Sequence, residues 1–193
     1  MILLGKKIGM TQIYLETGEM VPVTAVLAGP CIVTQVNAKS IQVGFGEAKK
    51  VNKPMSGHLK EKKLKNLKEI KVEKVESYQL GQEIKADIFK PGDIVNVAGT
   101  SIGKGTAGTV KRHHFGRGPM THGSKCHRLP GSIGAGTTPG RVEKGTRMSG
   151  RLGNCRVTVK NLEIVQVDVE KNLILIKGAV PGAGGNIIEI KKS

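Results

Sequence analysis

Apolar and polar residues alternate in short runs along most of the chain. Turn residues bound the clearest runs, as with Glu-Thr-Gly-Glu before Met20 and Pro-Gly-Asp before Ile94. Alternation with many Val, Ile and Thr residues is typical of half-buried β-strands. It predicts strands at 10–14, 20–28, 31–36, 40–46, 67–75, 80–89, 94–101, 156–169, 173–180 and 186–190. Short strands at this spacing predict a mainly β fold, either a small barrel or a sandwich.

One long stretch in the middle of the chain breaks the alternation. Residues 103–154 have no strand or helix period and are rich in Gly, Pro, His and Arg. We therefore predict a β domain split in sequence, residues 1–102 plus 155–193, with a basic insertion at about 47–67 and an extension at 103–154. Ordering a backbone costs roughly 1–2 kcal/mol per residue, and the extension has little apolar area to offset that cost. We expect it to be mobile in the free protein or ordered by a partner.

The distribution of charge indicates the class of partner. The 193 residues include 31 Lys and Arg against 15 Asp and Glu, a formal net charge of +16, which points to a polyanionic partner. All seven arginines lie from Arg112 to Arg156; from Gly103 to Arg156, four Lys and seven Arg against Glu143 alone give +10. Arginine makes forked contacts to phosphate and stacks on bases. The lysines between Lys49 and Lys74 are either a solvated face or outer phosphate contacts.

Folded RNA suits the extension better than duplex DNA does. Proteins that read duplexes place a helix or ribbon in the major groove, and nothing in residues 103–154 resembles a recognition helix. Folded RNA offers narrow crevices lined by phosphates, 2′-hydroxyls and stackable bases. A slender Gly-rich segment carrying Arg and His can enter such a crevice.

A nucleotide-binding enzyme is a competing interpretation. Gly103, Gly105 and Gly108 spell G-x-G-x-x-G after a predicted strand. The sequence that follows, KRHHFGRGP, predicts no helix, and no acidic residue stands about 20 residues further on, as a dinucleotide site requires. An overlapping stretch, GTSIGKGT at residues 99–106, resembles a Walker loop but has three residues instead of four between its glycines, and Gly105 stands where Ser or Thr should bind magnesium. A free regulatory RNA-binding protein is a second alternative.

Metal, membrane and secretory functions are weakly supported. His122, Cys126 and His127 lack the further ligands of a closed zinc site. The sequence has no run of 18 apolar residues, its first ten residues resemble no secretory signal, and three cysteines without a C-x-x-C pair suggest free thiols. We predict no metal, no cofactor, no small-molecule substrate and no membrane contact.

The residues GKGTAGTVKRHHFGRGPMTHGSKCHRLPGSIGAGTTPGRVEKGTRMSGRLGNCRVTV, followed by VDVEKNLILIKGAVPG, closely resemble the large-subunit ribosomal protein L-three family of bacterial or plastid type. GKKIGMTQIY and AGPCIVTQV resemble its start, so the resemblance covers nearly the whole chain. It implies a six-stranded β-barrel of the translation-protein type with a long, irregular, Arg- and Gly-rich internal extension and a small basic insertion. It also implies a structural, non-enzymatic role in the large subunit, in the bacterial cytoplasm or the plastid stroma.

The resemblance further implies binding to the 3′ domain of the large-subunit rRNA, nucleation of assembly, contact with neighbouring large-subunit proteins, and an extension running toward the peptidyl-transferase centre. When the family's features are matched to this sequence by position, residues 111–128 correspond to an outgoing arm that follows RNA helices. Residues 131–141 correspond to the tip, and residues 141–156 correspond to the returning arm. Many bacterial members carry a methylated glutamine near the tip; Ala135 and Thr137 stand there, so we expect no such modification.

The predicted rRNA-binding residues share basic, aromatic, sulfur-containing or hydroxyl side chains within the arms. They are Lys104, Lys111, Arg112, His113, His114, Phe115, Arg117, Met120, His122, Ser124, Lys125, His127, Arg128, Ser132, Arg141, Lys144, Arg147, Met148, Arg151 and Arg156. The predicted tip residues are Gly131, Ser132, Ile133, Gly134, Ala135, Gly136, Thr137, Thr138, Pro139, Gly140 and Arg141.

Overall fold

A computed structural model describes residues 2–59, 62–72 and 75–193. Its strands are β1 (Ile2–Tyr14), β2 (Met20–Ala28), β3 (Cys31–Asn37), β4 (Ser40–Glu47), β5 (Leu64–Lys71), β6 (Glu83–Ile84), β7 (Ile94–Thr100), β8 (Thr106–Ala107), β9 (Gly150–Arg151), β10 (Arg156–Asp168), β11 (Leu173–Lys177) and β12 (Ile187–Lys192). The helices are α1 (Lys53–Leu59) and α2 (Thr109–His113), with 3₁₀ turns at Val75–Ser77 and Ala86–Ile88. Within the described ranges, neither these nor any other helix has the length and apolarity needed to cross a membrane.

Six strands close into a barrel in the order β1-β12-β7-β10-β11-β2, and each neighbouring pair is antiparallel. Their alternation sends every second side chain inward. Ile174 and Ile176 of β11 and Ile188 and Ile190 of β12 are all fully buried. The mainly β fold and the six-stranded barrel predicted above are confirmed.

A second sheet, in the order β5-β4-β3-β6, shares the apolar core of the barrel. Val33, Val43, Phe45 and Ile70 bring its inner face into that core. The basic insertion contains both a helix and the start of a strand. Helix α1 lies within it, and β5 begins inside its last residues and pairs with β4.

The strand predicted at 173–180 ends at Lys177, the one predicted at 186–190 runs from Ile187 to Lys192, and three other predicted elements differ for reasons that the structure shows. The strand predicted at 67–75 starts three residues earlier and ends at Lys71, with 73–74 outside the described residues. The one predicted at 80–89 is mostly turns, because Gly81 adopts φ 86° and the buried Ala86 and Phe89 are three residues apart rather than alternating. Strand β1 begins at Ile2, ahead of the predicted residue 10, because Lys7 is an inward-facing position despite its charge.

The chain divides into two compact units. One comprises Met1–Ser101 with Arg156–Ser193 and contains the barrel and the second sheet, and is called the barrel unit below. The other is Ile102–Cys155 and is called the extension below.

No disulfide joins the three cysteines, all of which lie in the described part of the chain. Cys31 is buried at the start of β3, where burial raises the pKa of its thiol to about 11, and its sulfur donates a hydrogen bond to the Leu4 carbonyl oxygen (3.5 Å). Cys126 and Cys155 are exposed. The buried thiol is therefore held in its protonated, unreactive form.

Lys7 joins β1 to the connection between β11 and β12. Its Nζ donates hydrogen bonds to the carbonyl oxygens of Val180 (3.0 Å) and Gly182 (2.9 Å). The backbone of Lys7 also bonds to Asn186 and Gly185 at 2.9 and 2.7 Å. A buried ammonium with two carbonyl acceptors is satisfied, whereas the same carbonyls without it would lose their partner.

Glu189 on β12 links the barrel to the second sheet. Its carboxylate accepts from the Arg156 guanidinium of β10 at 2.7 Å and lies 3.0 Å from the Lys68 ammonium of β5. Burial alone would raise the pKa of Glu189. The hydrogen bonds and positive charges of Arg156 and Lys68 outweigh that effect, so its pKa lies below the ordinary value.

We expect Lys7→Met to destabilise the protein by roughly 1–3 kcal/mol, because the carbonyls of Val180 and Gly182 stay buried and lose their donor. Urea unfolding of the full chain measures this free energy. The exposed neighbour Lys6 provides the control, and Lys6→Met should change stability by less than about 0.5 kcal/mol. Equal losses in the two variants would contradict the assigned role of the Lys7 ammonium.

We expect Glu189→Gln to lower stability at neutral pH and to lose this effect in acid. The pKa of Glu189 is lower in the folded than in the unfolded state, so its contribution is present above the ordinary glutamate pKa of about 4.3 and disappears as pH falls through the folded value. Unfolding midpoints from pH 7 to pH 3 measure the convergence. Glu163→Gln, at a more exposed ion pair with Lys177, is the control and should have little effect at any pH. Parallel curves for wild type and Glu189→Gln would contradict this account.

Candidate nucleic-acid interface

The extension begins and ends in a two-stranded stem, in which β8 pairs with β9. The Lys104 amide donates to the Leu152 carbonyl and the Leu152 amide to the Gly105 carbonyl, both at 2.9 Å. A Cβ at Gly153, which has φ 72°, would collide with the Ile102 carbonyl oxygen. The glycine therefore allows the two backbones to approach each other at the root of the extension.

Helix α2 (Thr109–His113) follows the stem, and the prediction that KRHHFGRGP is not helical was wrong for its first three residues, 111–113. Gly108, in extended conformation, precedes the helix, and the buried Thr109 begins it. His114 ends the helix in the left-handed region, at φ 59° and ψ 37°. Five residues are too few to show a helical period, so the sequence pattern could not indicate the helix.

Helix α2 is tied to the returning arm through one carbonyl. The Arg112 guanidinium donates to the Met148 carbonyl oxygen at 2.8 Å, and His113 Nε2 donates to the same oxygen at 3.0 Å. A Cβ at Gly150 would lie 2.7 Å from Arg112 Nη1, so the guanidinium packs directly on the opposite backbone. Part of the hydrogen-bonding capacity of Arg112 and His113 therefore maintains the shape of the extension.

Further out, the chain closes a small loop between Gly118 and His127. The Gly118 amide donates to the His127 carbonyl at 3.1 Å, and His127 Nδ1 donates to the Pro119 carbonyl at 3.0 Å. A Cβ at Gly118 would collide with the Cys126 carbonyl oxygen. His127 is half-buried here, so its ring helps to fix the loop.

The predicted tip, residues 131–141, is exposed along its whole length. Two turns give it shape: the Gly140 amide donates to the Gly136 carbonyl at 3.1 Å, and the Ser132 hydroxyl donates to the Gly134 carbonyl at 3.2 Å. Both Gly136 and Gly140 have positive φ, of 95° and 67°. The result is a narrow, Gly-rich segment whose single charge is Arg141.

Most of the predicted cationic residues are fully available to a ligand. Nine in the extension are exposed: Lys104, Lys111, Arg117, Lys125, Arg128, Arg141, Lys144, Arg147 and Arg151. None of the ion pairs found among the described residues includes any of them. The only carboxylate side chain in the extension is that of Glu143, also exposed. Concentrated positive charge without internal compensation attracts polyanions.

The other predicted residues vary in accessibility. Phe115 is half-buried, with its ring centroid 6.0 Å from that of His113. Ser124 and Met148 are also half-buried, whereas Met120 is 51% exposed. His114 and His122 are exposed and both have φ 59°.

Arg156 belongs to the barrel unit and not to the extension; it lies on β10, where the Glu189 carboxylate accepts a hydrogen bond from its guanidinium. It lines a cleft of about 460 Å³ together with Lys65 and Lys68 of β5. These two lysines were not among the predicted site residues. The signal that could have indicated them is the spacing of lysines along the strand Leu64–Lys71, where Lys65 and Lys68 are exposed.

The observed geometry does not favour the dinucleotide site or the metal site considered above. Strand β7, which precedes the Gly103–Gly108 motif, is antiparallel to both of its neighbours, β12 and β10. A dinucleotide fingerprint instead needs the parallel strands of a βαβ unit. In the part of the chain that the structure describes, no three His, Cys, Asp or Glu side chains group so that they could hold a metal ion.

Comparison with known proteins identifies the family to which the chain belongs. A sequence model of the family described as "Ribosomal protein L3" matches residues 31–172. The chain is 57% identical over 199 residues to the large ribosomal subunit protein uL3 of Trichormus variabilis, covering 97% of this chain and 94% of that protein. It is 57% identical over 200 residues to the uL3 of Gloeothece citriformis, with the same coverage. Against the uL3 of Picosynechococcus sp. it is 55% identical over 203 residues, covering 99% of this chain and 95% of that protein. The chain belongs to the ribosomal protein L3 family.

Proposed function

We propose that the chain is a structural constituent of the large ribosomal subunit that binds rRNA through its extension. The observation that carries this proposal is the set of nine exposed, uncompensated Lys and Arg side chains between residues 104 and 151. Membership of a ribosomal protein family identifies RNA as the polyanion and makes the chain a non-enzymatic protein.

The finer proposal is that the extension enters the 3′ domain of the large-subunit rRNA and helps to nucleate assembly. Cations are spread along both arms, from Lys104 to Arg128 and from Arg141 to Arg151, so each arm can follow a phosphate backbone. Hydrogen bonds from Arg112, His113 and His127 to backbone carbonyls favour one path of the arms. A pre-shaped arm loses less conformational entropy on binding.

The tip has a different role in this proposal, reaching toward the peptidyl-transferase centre. Residues 131–140 are uncharged and mostly small, and all are exposed. Such a segment fits where RNA is packed too tightly for long side chains, because backbone amides and hydroxyls can approach bases and phosphates closely. The tip would position RNA and perform no chemistry itself. Neighbouring large-subunit proteins are proposed as the remaining partners.

Replacing Arg117, Arg128 and Arg141 together with alanine should weaken binding to large-subunit rRNA by about 100-fold or more. Each exposed guanidinium can make charge-assisted hydrogen bonds worth roughly 1–3 kcal/mol, and a tenfold change corresponds to about 1.4 kcal/mol. Binding to a 3′-domain rRNA fragment and the yield of large subunits from cells measure the effect. Arg112 is left unchanged because its guanidinium also bonds within the extension.

The matched control removes the same charge from the barrel unit, with Lys39, Lys160 and Lys171 replaced by alanine. We expect that variant to bind the fragment within a few-fold of wild type. Both triple variants should unfold at the wild-type midpoint, because all six side chains are exposed. Normal affinity and normal subunit yield for the arginine variant would overturn the proposed role of the extension.

The salt dependence of binding should report the number of phosphate contacts. If all nine exposed cations of the extension engage phosphates, the slope of log affinity against log salt should be roughly −6 to −8, at 0.7–0.9 per phosphate. The arginine triple variant should reduce its magnitude by about 2 to 3. A wild-type slope near −2 would contradict extensive phosphate contact by the arms.

A further inference from the structure

The β1–β2 hairpin continues beyond the barrel as a two-stranded ribbon. Strand β12 pairs with β1 only from Ile2 to Lys6, whereas β2 pairs with it from Gly5 to Tyr14. A turn closes the ribbon, with the Leu15 amide donating to the Glu19 carbonyl at 3.0 Å. In this distal part, β1 has β2 on one side only.

One face of this ribbon carries exposed Met and Tyr side chains, with Gln12 between Met10 and Tyr14. Tyr14 lies directly opposite Met20, and Met10 is on the same face because side chains repeat every two residues along a strand. Their exposed fractions are 69% for Tyr14, 56% for Met20 and 53% for Met10. Ile8, in the bulge beside Met10, is 55% exposed. Exposed apolar side chains clustered in this way mark interaction sites.

The outer edge of the ribbon is also open. From Ile8 to Tyr14, no strand among the described residues pairs with the side of β1 opposite β2. Natural proteins often protect such an edge with lysine or proline. This edge has neither, since Ile8–Tyr14 reads IGMTQIY. The Gly184 backbone lies close to the Ile8 carbonyl oxygen, and from Gly9 to Tyr14 the outward backbone groups are available to a partner strand.

The charge of the ribbon indicates which class of partner fits. Between Lys7 and Lys39 the chain contains no cation, and its only charged residues are Glu16 and Glu19 at the turn. This segment is therefore negative in a chain whose net charge is +16. Phosphates would be repelled by the two carboxylates, whereas a basic protein would be attracted to them. Met and Tyr are also residue types enriched in protein–protein interfaces.

We propose that the face formed by Met10, Tyr14 and Met20, with the open edge of β1 and the acidic turn, docks a neighbouring basic protein of the large subunit. The partner would place apolar side chains on this face and Lys or Arg side chains near Glu16 and Glu19. The inference rests on the proposed place of the chain in the large subunit. It assigns the ribbon to protein contact and leaves RNA contact to the extension.

Photo-crosslinking in purified large subunits tests this assignment. A benzophenone amino acid replaces Tyr14 in the full chain, and the same probe replaces Met120 of the extension in a parallel preparation. We expect the probe at 14 to crosslink to one large-subunit protein, at a Lys- or Arg-rich peptide, and the probe at 120 to crosslink to rRNA. Crosslinks from position 14 to rRNA, to a second copy of this chain, or to nothing would overturn the docking proposal.

The two positions separate the two hypotheses. A failure at 120 with a protein crosslink at 14 would count against the proposed function of the extension alone. If the labelled chain does not enter large subunits at all, both proposals fail. In particles that contain the labelled chain, the crosslink from position 14 tests the docking proposal by itself.

Substitutions then measure the contribution of the face. Tyr14→Thr with Met20→Thr keeps strand-forming residues and should lower affinity for the crosslinked protein at least about tenfold, because large buried contacts dominate such interfaces. Binding to rRNA should not change. Leu80→Thr with Val169→Thr, at exposed apolar residues outside the ribbon, is the matched control and should leave both affinities unchanged.

Charge reversal at the turn provides a test that does not depend on the strands. Glu16→Lys with Glu19→Lys should also weaken binding to the protein partner, with a larger effect at low salt. Stronger protein binding by this variant, or unchanged affinity in both ribbon variants, would overturn the proposal.

Discussion

The pairing of β7 with β10 is the constraint on which the arrangement of the molecule depends. Thr100, at the end of β7, lies opposite Arg156, at the start of β10, so the chain leaves the barrel and returns to it on neighbouring strands. The barrel closes without residues 102–155, because every residue of its core cluster lies in the barrel unit. The fold can therefore carry a long segment with little apolar content, since that segment is not needed to complete the core.

Within the extension, the groups that make internal hydrogen bonds differ from the side chains that carry most of the exposed positive charge. Backbone carbonyls, glycines and the side chains of Arg112, His113 and His127 make the internal contacts. The exposed lysines and arginines make none of the ion pairs in the described structure. The internal hydrogen bonds thus leave the charges that the segment offers to a polyanion without compensation. The barrel unit uses charge differently, since Arg156 and Lys68 there bind Glu189.

The sequence was sufficient to predict an element where a single physical pattern dominates. The predicted strand at 20–28 has the observed bounds of β2, because its residues alternate against a core and turns flank it. Prediction failed where tertiary contacts override local pattern: Lys7 faces inward because two carbonyls receive its ammonium, and β5 forms where lysines obscure the alternation. The clustering of arginine indicated the extension from composition alone. The position of Arg156 beside Glu189, by contrast, depends on register across β10 and β12, which no local pattern contains.

The stem formed by β8 and β9 makes the extension a loop anchored at both ends rather than a free tail. A tail can be threaded end-first through a closed ring of RNA, but a doubled loop can enter only an opening that admits both of its arms. Two paired backbones lie about 4.8 Å apart before side chains are counted. On the proposed function, the rRNA crevice must be wide enough for two chains side by side, or it must close around them after they are in place. The topology of the loop therefore favours its arrival before the surrounding RNA has finished folding.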